Sequence, residues 1–201
     1  AELPEGRFDR VAYPGGLKRA VHHAWAWQSG RDVVPRHRGV IRMRISYVGG
    51  QPDDAPVLPA DYDAFAELAF LNRLVLAAGT AQGVLCYFNP NGEVLRDLDS
   101  FRSICDACAQ EQKLPILVWS NVRLFKLDAA FGFMDTVGNG QFNVRDIEVV
   151  YPTRRYDPAT IDYYMRNVTH YLLGMDRELR TGETIDGPGE SELSWVIDSR
   201  E

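Results

Sequence analysis

The chain has 201 residues, of which 45% are hydrophobic and 25% charged, and its net charge is −6. This length fits one globular domain with a substantial core, so we expect residues 1–201 to form a single domain. No apolar run approaches the roughly 18–20 residues that cross a bilayer, and the start AELPEGRFDR lacks the apolar core of a signal peptide. Three cysteines in no disulfide-rich spacing favour a reducing compartment. We therefore expect a cytoplasmic protein without a membrane partner.

The charge is unevenly distributed along the chain. Six acids and one base lie between Glu183 and Glu201, so this stretch carries −5 and residues 1–182 carry −1. We call residues 182–201 the acidic C-terminal segment. Such a segment disfavours nucleic acid, which needs a basic footprint, and suits a basic protein partner. A solvated acidic tail is the alternative interpretation of the same charge run.

The first half of the chain predicts an N-terminal extension, a strand and a helix. Residues 1–37 contain the aromatic stretch Ala24–Ser29 and predict an extension that packs on the body of the protein. From His37 to Val48, apolar residues alternate with arginines, which is typical of a half-buried strand. Asp61–Ala78 is apolar on more than one side and predicts a deeply packed helix that stops at Gly79.

The second half of the chain alternates strand and helix patterns between turns. A central strand is predicted at Gln82–Phe88, before a turn at Asn89–Gly92. The elements predicted after this turn are a helix at Asp97–Gln112, one or two strands in Lys113–Leu127, a tight turn at Gly138–Gly140, a strand at Ile147–Tyr151, a helix at Asp157–Gly174 and a strand at Leu193–Ile197. This order predicts an α+β fold with a mixed, largely antiparallel β-sheet packed against about three α-helices.

The motifs that carry chemistry in other proteins have a structural interpretation here. Cys105 and Cys108 form a C-x-x-C pair, but they fall late in a predicted helix on its apolar face, where buried core cysteines are expected. The histidines lack the neighbouring ligands that a zinc site needs, and Gly138-Asn139-Gly140 lacks the lysine of a phosphate loop. We therefore expect no catalytic residues, no metal and no cofactor.

Two alternatives remain open. One is a structural subunit of a larger assembly. The other is an enzyme or a small-ligand-binding domain of a type without a local motif. Its site would lie at strand ends near Asp135, Thr136, Asn139 and Arg42. A concave pocket that gathers these side chains would favour this alternative.

Several short segments resemble, in this order, the bacterial family catalogued as domain of unknown function 4261. They are WAWQSGRDVVPRHRGVIRMRIS, FLNRLVLAA, AQGVLCYF, LPILVWSNVRLF, MDTVGNGQFNVRDIEVVY, NVTHYLL and TGETIDG. The resemblance spans roughly Trp25–Asp186. It implies a bacterial α+β domain and supplies no catalytic residues. By analogy with neighbours of secreted toxins, the resemblance also favours an immunity role.

The leading hypothesis is a non-enzymatic immunity protein that neutralises a secreted toxin by stoichiometric binding. Acids at the end of the chain would meet a basic toxin domain, and an exposed tryptophan would strengthen the contact. The predicted partner-binding residues are Glu183, Asp186, Glu190, Glu192 and Trp195. The sequence leaves the oligomeric state open.

Overall fold

The computed structural model describes residues 15–52, 54–175, 179–187 and 194–198, and it confirms the α+β class. Its helices are α1 (Leu17–His22), α2 (Gly30–Val33), α3 (Ala64–Ala78), α4 (Leu98–Gln110), α5 (Ile116–Trp119) and α6 (Pro158–Leu173). Its strands are β1 (Tyr87–Asn89), β2 (Val94–Arg96), β3 (Asn121–Lys126), β4 (Phe131–Val137), β5 (Glu148–Pro152), β6 (Thr184–Asp186) and β7 (Ser194–Val196). Within the described ranges these strands lie in three small antiparallel sheets.

The chain divides into two compact units. The first unit comprises residues 1–121 and 138–143, and the second comprises residues 122–137 and 144–201. Two compact units can still fold as one cooperative domain, so the expected single domain stays a prediction.

The N-terminal helices of the first unit pack on its small hairpin. Ala20 of α1 and Val34, in the 3-10 turn after α2, are buried together with Leu95 of β2. Trp27 packs against this cluster. The Arg19 guanidinium also contacts the buried Glu93 carboxylate at 2.5 Å, which ties α1 to the hairpin turn. Sequence reasoning predicted an aromatic extension here but neither helix.

Helix α3 begins and ends where local chemistry requires it. The Asp63 carboxylate accepts hydrogen bonds from the backbone N–H groups of Phe65 and Ala66 at 2.9 and 3.0 Å, and so caps the N-terminus. The expectation of deep packing is wrong, because Phe70 and Leu74 are 43% and 38% exposed. Each side of an apolar helix is buried only where a neighbouring element packs against it.

The hairpin of strands β1 and β2 replaces the central strand predicted at Gln82–Phe88. Strand β1 begins only at Tyr87 and pairs with β2 in a two-stranded sheet. The turn predicted between them is present, with the Asn89 carboxamide oxygen accepting from the N–H groups of Asn91 and Gly92. A short apolar run predicts burial better than it predicts the size of a sheet.

Of two further strand predictions, the one in Lys113–Leu127 is confirmed only over β3, and the one at His37–Val48 is wrong. Ile116–Trp119 forms one helical turn, closed by a 2.8 Å bond from the Ser120 N–H to the Ile116 carbonyl. Its apolar pattern was too short to distinguish a buried helical turn from a strand. The segment His37–Val48 lies in no helix or strand, and most of its residues are exposed.

A close approach of two glycines shapes the end of the first unit. The turn predicted at Gly138–Gly140 opens a 3-10 helix over Asn139–Phe142, and Gly138 has a φ of +111°. A Cβ atom at Gly138 would lie 2.6 Å from the Cα atom of Gly92. Asn139, fully buried, accepts a 2.7 Å hydrogen bond from the Ser120 hydroxyl.

The second unit is a three-stranded sheet covered on one face by α6. Strand β4 pairs with β5 in the register Phe133↔Val150 and Asp135↔Glu148, and the strand order is β3-β4-β5. Side chains of one sheet face and of α6 form its core, namely Val122, Met134, Val149, Tyr151, Ile161 and Met165. Helix α6 matches its prediction closely: Asp157 caps it, Pro158 is its first residue and Gly174 follows it.

Candidate functional site

The acidic C-terminal segment contains a hairpin that sequence reasoning only half predicted. Strand β7 was expected, but its partner β6 lies in a part of the chain where no strand was predicted. Of the predicted partner-binding residues, Glu183 precedes β6, Asp186 ends it and Trp195 is the centre of β7. Glu190 and Glu192 lie outside the described residues.

The hairpin has an inner and an outer face. Trp195 is opposite Ile185 in the register, and both side chains are half-buried. The neighbouring positions on both strands are exposed, which places Thr184, Asp186, Ser194 and Val196 together on the outer face. Val196 is 71% exposed there. An exposed aliphatic side chain on the same face as a carboxylate is an arrangement that suits contact with another protein.

Aromatic side chains of the second unit support the inner face. The Trp195 ring lies 5.1 Å from the Tyr164 ring and 6.3 Å from the Tyr156 ring, measured between centroids. The Tyr164 hydroxyl donates a hydrogen bond to the Asp186 backbone carbonyl. Burial, followed by the charge of Asp186, raises the pKa of Tyr164 to about 12. The phenol therefore keeps its proton, and its bond to β6, throughout the neutral range.

Glu183 helps to fix the entrance of the hairpin. Its backbone carbonyl accepts from the Ile197 N–H at 2.8 Å, and its carboxylate accepts from the Arg180 N–H at 2.9 Å. The carboxylate is thus partly used within the chain, while Asp186 and Val196 present their side chains outward. We name Asp186, Ser194, Val196 and Thr184 the hairpin surface.

A second exposed apolar surface lies on the sheet face opposite the core of the second unit. Phe131 and Val150 are 44% and 58% exposed, and Phe125 is 37% exposed. The rings of Phe125 and Phe133 lie 5.7 Å apart on this face, and Phe133 is opposite Val150 in the register. Exposed apolar groups that form a contiguous patch mark sites of protein association.

The residues of the alternative site are held by internal contacts. Asp135 and Thr136 belong to the second unit, and Asn139 and Arg42 belong to the first. The Asp135 carboxylate is paired with the Arg123 guanidinium. The buried Thr136 hydroxyl donates to Asp146 and accepts from the Ile147 N–H at 2.7 Å. These contacts give Asp135, Thr136 and Asn139 structural roles in the two units.

The cysteines are less buried than expected, since buried core side chains were predicted at Cys105 and Cys108. All three are free and half-buried, and Cys105 and Cys108 lie in the second half of α4. Burial raises the pKa of all three thiols, and that of Cys105 to about 11. Over the residues that the structure describes, His, Cys, Asp and Glu form no cluster able to hold a metal ion.

The tryptophans divide into buried and exposed members. Trp119 is 1% exposed, and its indole N–H donates to Asn72 at 3.3 Å. Trp25 is 55% exposed and lines a surface depression of about 580 Å³ that also holds His22, Arg31 and Asp32. Sequence composition could not distinguish these two environments.

The comparisons with known proteins bear mainly on the second unit. Residues 135–200 match the model of a family described as a domain of unknown function, DUF4261. The resemblance predicted from the sequence is confirmed over this part of the chain. No curated protein matches the chain. No solved structure matches it either. In the ranges that the structure describes, every helix is too short or too polar to cross a membrane.

Proposed function

We propose that this chain is a non-enzymatic interaction protein, and that it is a bacterial immunity protein which neutralises a basic toxin domain by stoichiometric binding. The observation that carries the proposal is the hairpin surface, where Asp186 and the 71% exposed Val196 stand on a hairpin anchored by Trp195. The aromatic contacts of Trp195 already order the two strands, so less conformational entropy of the hairpin backbone is lost on binding.

The negative charge of the hairpin region indicates that the partner is positively charged. Residues 183–201 carry −5 of the total −6. Clefts that bind phosphates or nucleic acid are basic, and a concentrated acidic surface steers association with them. A stable inhibitory complex of standard size buries roughly 1,600 Å² in total, so the hairpin would form the centre of a larger contact. The family match covers residues 135–200 and so includes the hairpin.

Affinity capture from the native host at native expression levels tests this function. Tagged wild-type chain should recover one basic protein in a near-equal amount, and expression of that protein alone should arrest growth. Asp186→Lys should reduce recovery at least about tenfold, because it reverses a charge at the centre of the contact. Asp106→Lys, at an exposed position on α4, is the matched control and should recover the partner normally.

The contribution of the Val196 side chain to binding is tested with a matched pair of valine substitutions. Val196→Ser should weaken recovery of the same partner, while Val57→Ser should leave it unchanged, since the two valines are 71% and 74% exposed. Capture of nothing by wild-type chain, or equal capture by Asp186→Lys and Asp106→Lys, would contradict the proposal.

A further inference from the structure

The exposed side of α3 is apolar, whereas a surface helix of a globular protein usually carries polar residues on the side that faces water. Phe70 and Leu74 are 43% and 38% exposed, and three alanines are exposed beside them. We call this side the α3 stripe, and its members are Ala66, Ala69, Phe70, Arg73, Leu74 and Ala77. Arg73 is the only charged residue among these six. The stripe therefore has the composition of a helix face that another element covers.

The opposite side of α3 is fixed to the first unit. Leu68 and Asn72 are buried there, and the Asn72 side-chain oxygen accepts the hydrogen bond from the Trp119 indole N–H. Phe65 stacks on Phe142, with 6.2 Å between the two ring centroids. A partner that packs on the stripe therefore meets a helix whose backbone is already ordered, and little conformational entropy of this backbone is lost on binding.

The residues of the stripe and its edge are arranged symmetrically about Phe70. Glu67 and Arg73 each lie three residues from Phe70, and Ala66 and Leu74 each lie four residues from it. Each residue advances a helix by about 1.5 Å, so these pairs are equally far above and below Phe70. If two copies of α3 pack antiparallel about Phe70, the acid of one copy is level with the base of the other. The small alanine is likewise level with the large leucine.

Both charged residues lie where such a contact needs them. The Arg73 guanidinium is 5.6 Å from the centroid of the Phe70 ring, beside the centre of the stripe. Glu67 is half-buried at the edge of the stripe, and the hydrogen bond that it accepts from the Tyr47 hydroxyl raises the pKa of Tyr47. A carboxylate has about four acceptor positions, so one hydroxyl leaves room for a guanidinium.

We propose that two copies of this chain form a reversible dimer through the α3 stripe, with the two helices antiparallel about Phe70. A two-fold contact uses the same surface on both copies, so it requires a surface that is complementary to itself. From Ala66 to Ala77 the stripe is about 17 Å long and offers on the order of 300–400 Å² per copy. The total is below the roughly 1,000 Å² of a stable interface. The dimer should therefore be weak, with a Kd on the order of 100 µM.

The charge of the stripe favours a second copy over other partners. Glu67 and Arg73 together leave the surface neutral, so it does not select the basic partner of the hairpin surface. The net charge of −6 on the chain opposes an anionic membrane. The stripe belongs to the first unit and the hairpin surface to the second, so this proposal does not depend on the proposed function.

Sedimentation velocity of the full chain between about 1 and 500 µM measures the association. The wild-type chain should pass from a mass of 22.7 kDa to twice this mass as its concentration rises. Phe70→Ser should raise the Kd of the dimer at least about tenfold, because it removes the aromatic side chain at the two-fold axis. Phe131→Ser is the matched control, since Phe131 is 44% exposed but lies on a strand of the second unit. This variant should dimerise like the wild-type chain.

Two charge variants test the antiparallel register. Arg73→Glu would bring acids level with acids, and Glu67→Arg would bring bases level with bases. Each variant alone should therefore dimerise at least about tenfold more weakly than the wild-type chain. An equimolar mixture of the two should recover most of the association, because each contact then joins an acid and a base. A loss of folding in either variant would not be rescued by mixing.

Several results would overturn the proposal. The wild-type chain could remain monomeric at about 500 µM, or Phe131→Ser could weaken the dimer as much as Phe70→Ser does. The mixture of charge variants could also associate no better than its two components. A monomeric chain that binds phosphatidylcholine vesicles through Phe70 would identify a membrane as the occupant of the stripe, and would equally overturn the proposal.

Discussion

Gly138 is a position in the first unit where a single added methyl group should be costly for two separate reasons. Its φ of +111° favours glycine, and a Cβ would also meet the Trp119 carbonyl oxygen at 2.9 Å. Gly138→Ala should lower the free energy of unfolding by about 2–4 kcal/mol, from backbone strain plus overpacking. Gly83→Ala, with a φ of +91° and open space around it, should lose only about 1 kcal/mol of strain. Urea unfolding measures both, and equal losses would contradict the crowding at Gly138.

Cys105 gives a pH dependence with a definite sign. Its pKa rises to about 11 because of burial first, and then because of the charges of Cys108 and Asp106. The folded chain holds this proton more tightly than the unfolded chain, so the contribution to stability is complete below the unfolded pKa of about 8.5. It is lost as the pH rises from there towards 11.

Alkylation rates test the same pKa. At pH near 7.5, iodoacetamide should modify Cys105 about 100-fold more slowly than the urea-unfolded chain, because fewer thiols are ionised. The rate should rise steeply through the alkaline range. Rapid modification of Cys105 in the folded chain at neutral pH would contradict the burial of this thiol.

Helix termini are the elements that the sequence predicted best. Asp97 and Asp157 both cap helices where the predictions began them, because a carboxylate before an apolar periodic run satisfies free N–H groups locally. The strand predictions were weaker, because pairing depends on residues far away in sequence. Thus the alternating pattern of His37–Val48 predicted a strand that does not form, and β6 was missed because only three residues form it.

The cap of α3 can be tested with a neighbouring control. Asp63→Ala removes the acceptor of two backbone hydrogen bonds and should lower the free energy of unfolding by about 1 kcal/mol. Asp61→Ala, at the position that the sequence indicated as a start signal, should change it by less than about 0.5 kcal/mol. Urea unfolding of both variants at neutral pH decides between the positions, and a larger loss at Asp61 would contradict the observed helix start.

At the scale of the whole molecule, sequence patterns predicted the α+β class but not its distribution over two units. In the part of the chain that the structure describes, the strands lie in three small sheets because each strand pairs with one close to it in sequence. Alternation of apolar and polar residues does not determine which strands pair. The candidate site was likewise predicted only in part from the sequence. The acids were visible in the sequence, while the exposure of Val196 and the support of Trp195 by Tyr164 needed the fold.

The central claim is that this chain acts by binding one basic protein and blocking its activity. The most direct measurement titrates the purified partner with the chain while following the partner's own activity. The account predicts that activity falls to zero with a sharp break at one equivalent of chain, and that Asp186→Lys moves this break to a large excess. A partner that stays active in about tenfold excess of wild-type chain would contradict the claim.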